Sequence, residues 1–113
     1  MKIIEQGAPY SKKEVYALTK SPRIENLKDN VGLIIPVEKY LIYEDMNGRD
    51  RTTTITLLSV HGAGRTLVSN SATVIETFHE IMDIMEGEPF SIEVLEGTSK
   101  AGRTFYSVAL ADE

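Results

Sequence analysis

The sequence predicts a small, mainly β fold that contains one amphipathic helix. The chain has 113 residues, the size of one domain, and 42% of them are hydrophobic, enough to bury a core. From residue 31 onward the chain is rich in β-branched and aromatic residues, and several runs alternate between apolar and polar side chains. Only the region around residues 73–86 carries a long apolar pattern with the period of a helix.

Residues 1–30 are expected to form an N-terminal extension to a domain of residues 31–113. The charged residues of this segment are evenly scattered, and the segment contains no long apolar run. Ser11 is a suitable N-cap for a short helix over residues 12–19, and Ser21-Pro22 would end it because proline disfavours helical geometry in the preceding residue. The extension is therefore predicted to contain one short helix.

Five strands are predicted in the domain: 31–43, 52–60, 65–69, 90–94 and 103–110. The first is expected to be one long strand that bends at Pro36, since proline cannot donate to a β-ladder. Asn47-Gly48 is a strong hairpin signal, and Gly62-Ala63-Gly64 marks a second turn, because these residues tolerate a positive φ angle. The last hairpin is expected at residues 97–102.

The helix lies between the third and fourth strands. Thr73 and Glu76 have the spacing of a capping box, which predicts the start, and Gly87 followed by Pro89 predicts the end. Its apolar stripe comprises Val74, Ile75, Phe78, Ile81, Met82 and Met85.

The predicted order is thus β-β-β-α-β-β after the N-terminal extension. This order matches a five-stranded Greek-key barrel of the OB-fold type, with an open α+β sandwich as the alternative. Barrels of this type bind oligonucleotides, oligosaccharides or proteins, so the fold alone does not select a function.

Several function classes are disfavoured by composition. The absence of cysteine removes disulfides, thiolate metal sites and cysteine nucleophiles, and it fits a reducing, cytoplasmic location. We expect no membrane span and no signal peptide, because no apolar run approaches the length of about 20 residues that a span needs. His79-Glu80-x-x-Asp83 lacks the second histidine of a metalloprotease motif, so we expect no metal, no cofactor and no enzymatic activity.

The net charge of −5 taken alone argues against a nucleic-acid partner, but the charges are segregated. The helix and the residues just after it carry five acidic residues and no basic ones. Beyond residue 30, the basic residues collect at the hairpins: Arg49, Arg51, Arg65, Lys100 and Arg103. These five residues are predicted to neutralise phosphates, since hairpin loops flank the ligand face of an OB-type barrel.

Aromatic side chains on the strands supply the second requirement for binding unpaired bases, which stack on them. The candidates are Tyr40 and Tyr43 on the first strand and Phe105 and Tyr106 on the fifth. Because neighbouring strand residues point to opposite faces, one of Phe105 and Tyr106 is expected to be exposed and the other to face the core.

The run EGTSKAGRTFYSVAL at residues 96–110 resembles the C-terminal hairpin of the single-stranded DNA-binding proteins of phi-29-like bacteriophages. The strand around residues 53–55 and the helix ending near Met85 are similar to the middle section of the same family, whereas residues 1–30 do not match. The resemblance implies an OB-fold, non-sequence-specific coating of single-stranded DNA during phage replication, and stacking tyrosines. It supports roles for Lys100 and for Phe105 or Tyr106, and to a lesser extent for Tyr40, Arg49 and Arg51.

The sequence therefore predicts a single-stranded DNA-binding protein located in the host cytoplasm, with possible binding of RNA and a possible homo-oligomer or cooperative assembly on DNA. The alternative is a protein-interaction module, such as a phage regulator that binds a host protein through the acidic helix.

Overall fold

A computed structural model describes residues 1–46 and 52–111. The elements in chain order are β1 (Lys2–Gln6), α1 (Lys12–Thr19), β2 (Glu25–Asn26), a 3-10 helix (Leu27–Asn30), β3 (Ile34–Pro36), β4 (Lys39–Met46), β5 (Thr54–Gly62), β6 (Arg65–Ser69), α2 (Ala72–Met85), β7 (Ser91–Thr98) and β8 (Thr104–Leu110). The mainly β class is confirmed. The predicted hairpin turn at Asn47-Gly48 lies outside the described residues.

The strands form two sheets within the described part of the chain. The larger sheet has the order β1-β4-β5-β6-β2, and the smaller one has the order β3-β7-β8. All neighbouring strands are antiparallel except β2 and β6, which are parallel. No described pairing connects β6 to β8, and the short strand β2 lies along the edge of β6 that β5 leaves free.

The prediction of one continuous strand over residues 31–43 is wrong. The chain forms β3 in the smaller sheet and then β4 in the larger sheet, with the break directly after Pro36. Gly62 makes this crossing possible, because a methyl group at its Cα would lie 1.6 Å from the Pro36 carbonyl oxygen. Beyond the break, the Glu38 amide donates to the His61 carbonyl at 2.9 Å and begins the pairing of β4 with β5.

The N-terminal extension is built into the larger sheet. β1 pairs with the outer edge of β4, and β2 pairs with β6 at the opposite edge. The predicted helix over residues 12–19 is confirmed as α1. Ser11 Oγ accepts from the Glu14 amide at 3.2 Å, while Glu14 Oε1 accepts from the Ser11 amide at 2.9 Å, which completes a capping box.

Helix α2 starts earlier than predicted. Its N-cap is Ser71, whose Oγ accepts from the Val74 amide at 3.3 Å, so the predicted capping role of Thr73 is wrong. The helix ends as expected near Gly87, which has a φ angle of 86°. In the part of the chain that the structure describes, no helix is both long and apolar enough to cross a membrane.

The main core lies between the two sheets and α2. Its fully buried members include Ile42, Leu58, Phe78, Ile92 and Val108, which come from β4, β5, α2, β7 and β8. A second, smaller cluster lies on the other face of the larger sheet. There, Leu18 of α1 covers Leu41 and Tyr43 of β4.

Candidate nucleic-acid interface

The β7–β8 hairpin carries more of the predicted site residues than any other described element. Gly97 pairs with Phe105, and the ladder continues to the last pair before the turn. At the tip, the Ser99 amide donates to the Arg103 carbonyl at 2.8 Å, and the Gly102 amide donates to the Ser99 carbonyl at 2.9 Å. The Arg103 amide also donates to Ser99 Oγ at 3.2 Å. These bonds order the tip and hold its side chains in a defined geometry.

Lys100 and Arg103 are exposed at this tip. Neither forms an ion pair with another described residue. An unpaired cation on an ordered backbone binds a phosphate without first breaking an internal salt bridge. This pair therefore has the chemistry that contacts to a phosphate backbone require.

Phe105 and Tyr106 point to opposite sides of β8, as the strand alternation predicts. The Phe105 side chain is 43% exposed. Its ring lies over Gly97, since a methyl group built there would approach the ring to 2.5 Å. Glycine thus gives the exposed ring a flat backbone support on the opposite strand, and the ring keeps an accessible surface for stacking.

Tyr106 is half-buried and packs against the main core. It also lines a cavity of about 240 Å³ together with residues of β2, β5, β6 and the segment before α2. Two side-chain amides and a lysine share this cavity. The polar lining residues are Asn26, Lys28, Ser69, Asn70 and Ser71. The cavity, called the seam groove below, combines an aromatic ring with hydrogen-bonding groups and a positive charge.

Asn26, Lys28 and Asn70 did not emerge from the sequence as site residues. They reach the seam groove because β2 pairs in parallel with β6, placing Asn26 opposite Val68. A two-residue strand has no detectable alternation, so no local sequence signal could have placed these side chains beside Tyr106.

Arg65, another predicted phosphate ligand, is already bonded to side chains of this protein. Its Nη2 donates to Glu25 Oε1 and to Asn30 Oδ1, both at 2.7 Å, and its Nε donates to Glu25 Oε2 at 3.0 Å. The Arg65 hydrogen bonds hold the pKa of Glu25 below its usual range, and Glu25 in turn raises the pKa of Arg65. Its charge is thus compensated, and the residue connects β6 to β2 and the 3-10 helix.

Tyr43 is only 2% exposed, because α1 covers this face of β4. Burial, and secondarily the charge of Asp45, raises the pKa of Tyr43 to about 12. Its ring could meet a base only if α1 moved away.

Tyr40 points to the opposite face of β4 and makes edge contact with Phe78, with the ring centroids 5.3 Å apart. Its hydroxyl donates to Glu5 Oε2 at 3.1 Å. Burial, followed by the nearby Glu5 charge, raises the pKa of Tyr40 to about 12. Tyr40 is therefore separated from the β7–β8 hairpin by its place in the core and lines a different groove, described below.

Arg49 and Arg51 lie outside the described residues. The structure thus brings together Lys100, Arg103 and Phe105 on one hairpin, with Tyr106 on its other side. It sets Arg65, Tyr40 and Tyr43 apart from them.

Two ion pairs join α1 and its C-cap residue to β4, at the edges of the β4–β5 face that the helix covers. Lys20 pairs with Asp45, and Lys39 Nζ lies 3.1 Å from Glu14 Oε2. Beneath the helix, the Ser59 hydroxyl is buried with no hydrogen-bond partner among the described residues. This face is therefore part of the interior in the present conformation.

The His79 motif shows no metal-site geometry. His79 Nε2 faces Glu5 Oε2 at 3.4 Å, and the described residues contain no cluster of three or more side chains suited to a metal ion.

Comparison of the chain with protein-family models, curated proteins and solved structures gives no significant match.

Proposed function

We propose that this chain binds single-stranded DNA without sequence preference through the β7–β8 hairpin and the adjoining seam groove. The observation that carries the proposal is the ordered hairpin tip, where two unpaired cations stand beside a half-exposed phenylalanine. Positive charge that follows the backbone, together with rings on which bases stack, is the combination that binds single strands of any sequence.

The strand connections favour an OB-type barrel as the finer description of the fold. β4, β5 and β6 pair in sequence, β3 reaches β7 through the bend at Pro36, and β7 pairs with β8. An OB-type barrel would close by pairing β6 with β8; here β2 pairs with that edge of β6, and Asn26 of β2 and Tyr106 of β8 line the seam groove. The resemblance of residues 96–110 to the phi-29-like phage proteins supports the same proposal.

In the proposed mechanism, Lys100 and Arg103 neutralise phosphates while a base stacks on Phe105. Lys28 and Tyr106 extend the contact into the seam groove. Such binding needs no cofactor. It suits a protein that coats exposed strands during phage replication in the host cytoplasm.

The test is a titration of fluorescent oligo(dT) at several salt concentrations, with the double variant Lys100→Gln/Arg103→Gln and the single variant Phe105→Ala. Losing two phosphate contacts should make the slope of log affinity against log salt less steep by about 1.4, at about 0.7 per contact. Losing the ring should weaken binding by about 1–3 kcal/mol. Lys12→Gln/Lys13→Gln is the matched control, because it removes the same charge from the exposed side of α1.

No binding of oligo(dT) at low salt would refute the proposal. Equal affinity for a duplex of the same length would refute the stacking role of Phe105. If the α1 control weakens binding as much as the hairpin double variant, the protein has only a diffuse electrostatic attraction for DNA.

A second candidate function rests on α2. Ile84 is 75% exposed on this helix, next to Asp83 and near Glu80. An apolar side chain among carboxylates suits a protein partner with a basic, partly apolar surface. If that is the function, Ile84→Ala should abolish partner binding while the hairpin double variant retains it.

A further inference from the structure

A second groove opens under the N-terminal segment, away from the β7–β8 hairpin. Three distant stretches of chain line it, residues 7–10, 37–40 and 87–90, together with Glu14 and Met82. Its volume is about 740 Å³, within the range of sites that hold small ligands or peptide segments. It is called the N-terminal groove below.

Hydrogen bonds between these stretches hold the groove in shape. The Gly7 amide donates to the Tyr40 carbonyl at 3.3 Å, and the Val37 amide donates to the Phe90 carbonyl at 3.0 Å. The Tyr40 amide donates to the Tyr10 hydroxyl at 3.2 Å. Each wall is therefore attached to another, and a ligand would find a site that is already formed.

The lining is aromatic. Tyr10, Tyr40 and Phe90 are each half-buried and contribute to the walls. Tyr40 and Phe90 both pack against the buried Phe78, at centroid distances of 5.3 and 6.0 Å. Their positions are thus set by the core, so little conformational entropy is lost when a ligand binds.

The charge of the groove is negative. Glu14, Glu38 and Glu88 lie in the lining, and Lys39 is the one cation among the lining residues of this described site. Lys39 is already paired with Glu14 at 3.1 Å. Glu38 accepts from the Ala63 amide at 2.7 Å. Neither Glu38 nor the exposed Glu88 forms an ion pair with a basic side chain in the described chain.

Aromatic rings beside uncompensated carboxylates attract cations, because ring faces and carboxylates are both negative. A phosphodiester would be repelled from this groove, so it is not an extension of the DNA surface. The volume exceeds that of one guanidinium group, which favours a side chain together with its flanking backbone. We propose that the N-terminal groove binds a basic peptide segment of a partner protein, with an arginine or lysine side chain held between the rings and Glu38 or Glu88.

The experiment is an NMR titration of the full ¹⁵N-labelled chain with a short glycine–arginine peptide. The comparison peptide replaces each arginine by citrulline, which keeps the shape and removes the charge. We expect saturable shifts of residues 7–10, 37–40 and 87–90 with the arginine peptide only. The double variant Glu38→Gln/Glu88→Gln should raise Kd about tenfold, whereas Glu93→Gln on β7 should leave it unchanged.

Absence of saturable shifts with the arginine peptide, or equal shifts with the citrulline peptide, would overturn the proposal. Shifts of the same residues with oligo(dT) would also overturn it, since the groove would then belong to the DNA surface. Concentration-dependent shifts of the groove in the protein alone would show that a second copy fills it instead of a partner protein. Because the positive result needs no DNA, it can be obtained whether or not the DNA-binding proposal holds.

Discussion

The outer faces of the two sheets differ in what covers them. On the larger sheet, α1 covers β4 and β5, so Leu41 and Tyr43 are almost completely buried. On the smaller sheet, Ile34, Leu95 and Phe105 alternate with core residues and are 46, 37 and 43% exposed. The outer face of the smaller sheet therefore keeps an accessible aromatic ring, whereas Tyr43 on the larger sheet is covered, although aromatic site residues were predicted on both.

The two surfaces also differ in how their charges are used. Three cations beside the larger sheet, Lys20, Lys39 and Arg65, are each paired with a carboxylate. Lys100 and Arg103 on the β7–β8 hairpin have no such partner among the described residues. A cation stabilises the fold in the first region and is available to an anionic ligand in the second. For this reason the proposed interface lies on the hairpin.

The largest effect is expected where the chain crosses between the two sheets. Gly62→Ala should lower the free energy of unfolding by about 4 kcal/mol or more, because the new methyl group would collide with the Pro36 backbone. Gly64→Ala is the matched control in the same turn. The methyl group added at position 64 would have no atom within 4 Å, and the only cost comes from the φ angle of 75°. The free energy of unfolding should therefore fall by about 1 kcal/mol. Equal losses in urea unfolding would show that the crossing is not tightly packed.

Removing the cover of the larger sheet tests the comparison directly. Leu18→Ala should destabilise the protein by about 2–3 kcal/mol, because a buried leucine that covers Leu41 and Tyr43 is lost. Tyr16→Ala on the exposed side of α1 should change stability by less than about 0.5 kcal/mol.

Oligo(dT) affinity should be the same in Leu18→Ala as in the unmodified chain under conditions where both are folded. Tighter binding by Leu18→Ala would place the interface on the covered β4–β5 face instead of on the hairpin.

High pH should weaken the covered face. The pKa of Tyr43 is about 12 in the folded protein against an ordinary value of 10.0, so the unfolded chain loses this proton first. The stability from Tyr43 is complete below pH 10 and is lost as the pH rises toward 12. Tyr43→Phe should therefore gain stability relative to the unmodified chain between pH 9 and 11 in urea unfolding. A constant difference over that range would contradict the burial of this hydroxyl.

The smallest effect is expected from the ion pair at the margin of α1. Hydrogen bonding from Lys20, and then from the Met46 amide, holds the pKa of Asp45 below its usual 3.8. A carboxyl group whose pKa is lowered by folding stabilises the fold at pH values above its ordinary pKa. This contribution is lost as the pH falls through the lowered pKa. Because Lys20 is largely exposed, Asp45→Asn should cost less than about 1 kcal/mol at pH 7.

The cost of Asp45→Asn should shrink below pH 4, where the carboxyl group of Asp45 takes up its proton. A cost for Asp45→Asn that is the same at pH 7 and pH 3 would argue against the pair.

Local sequence patterns predicted the elements that depend on neighbouring residues. The capping serine of α1, the turn at Ala63 and Gly64, and the β7–β8 hairpin were all recognisable within short windows. The cap of α2 was misplaced by two residues because Ser71 and Thr73 are both suitable cap residues. Strand alternation predicted that one of Phe105 and Tyr106 is exposed and the other faces the core, and the structure shows that Phe105 is the exposed one.

The structure added features that depend on long-range contacts. β1 and β2 exist because β4 and β6 provide edges for them to pair with. Arg65 has a charge typical of a ligand-binding hairpin, yet its guanidinium binds Glu25, 40 residues earlier in the chain. Residues that far apart form no recognisable pattern in a single sequence.

The sequence by itself determined the mainly β class, the helix α1 and the hairpin with its two cations and one outward-facing ring of two candidates. These features follow from backbone preference and side-chain alternation, which act over a few residues. Only the tertiary structure decided that the first strand divides at Pro36, that α1 covers Tyr43 and that two separate grooves form. Those outcomes depend on contacts between residues that are far apart in the sequence. Such contacts form only when the helices and strands pack together and exclude water from between them.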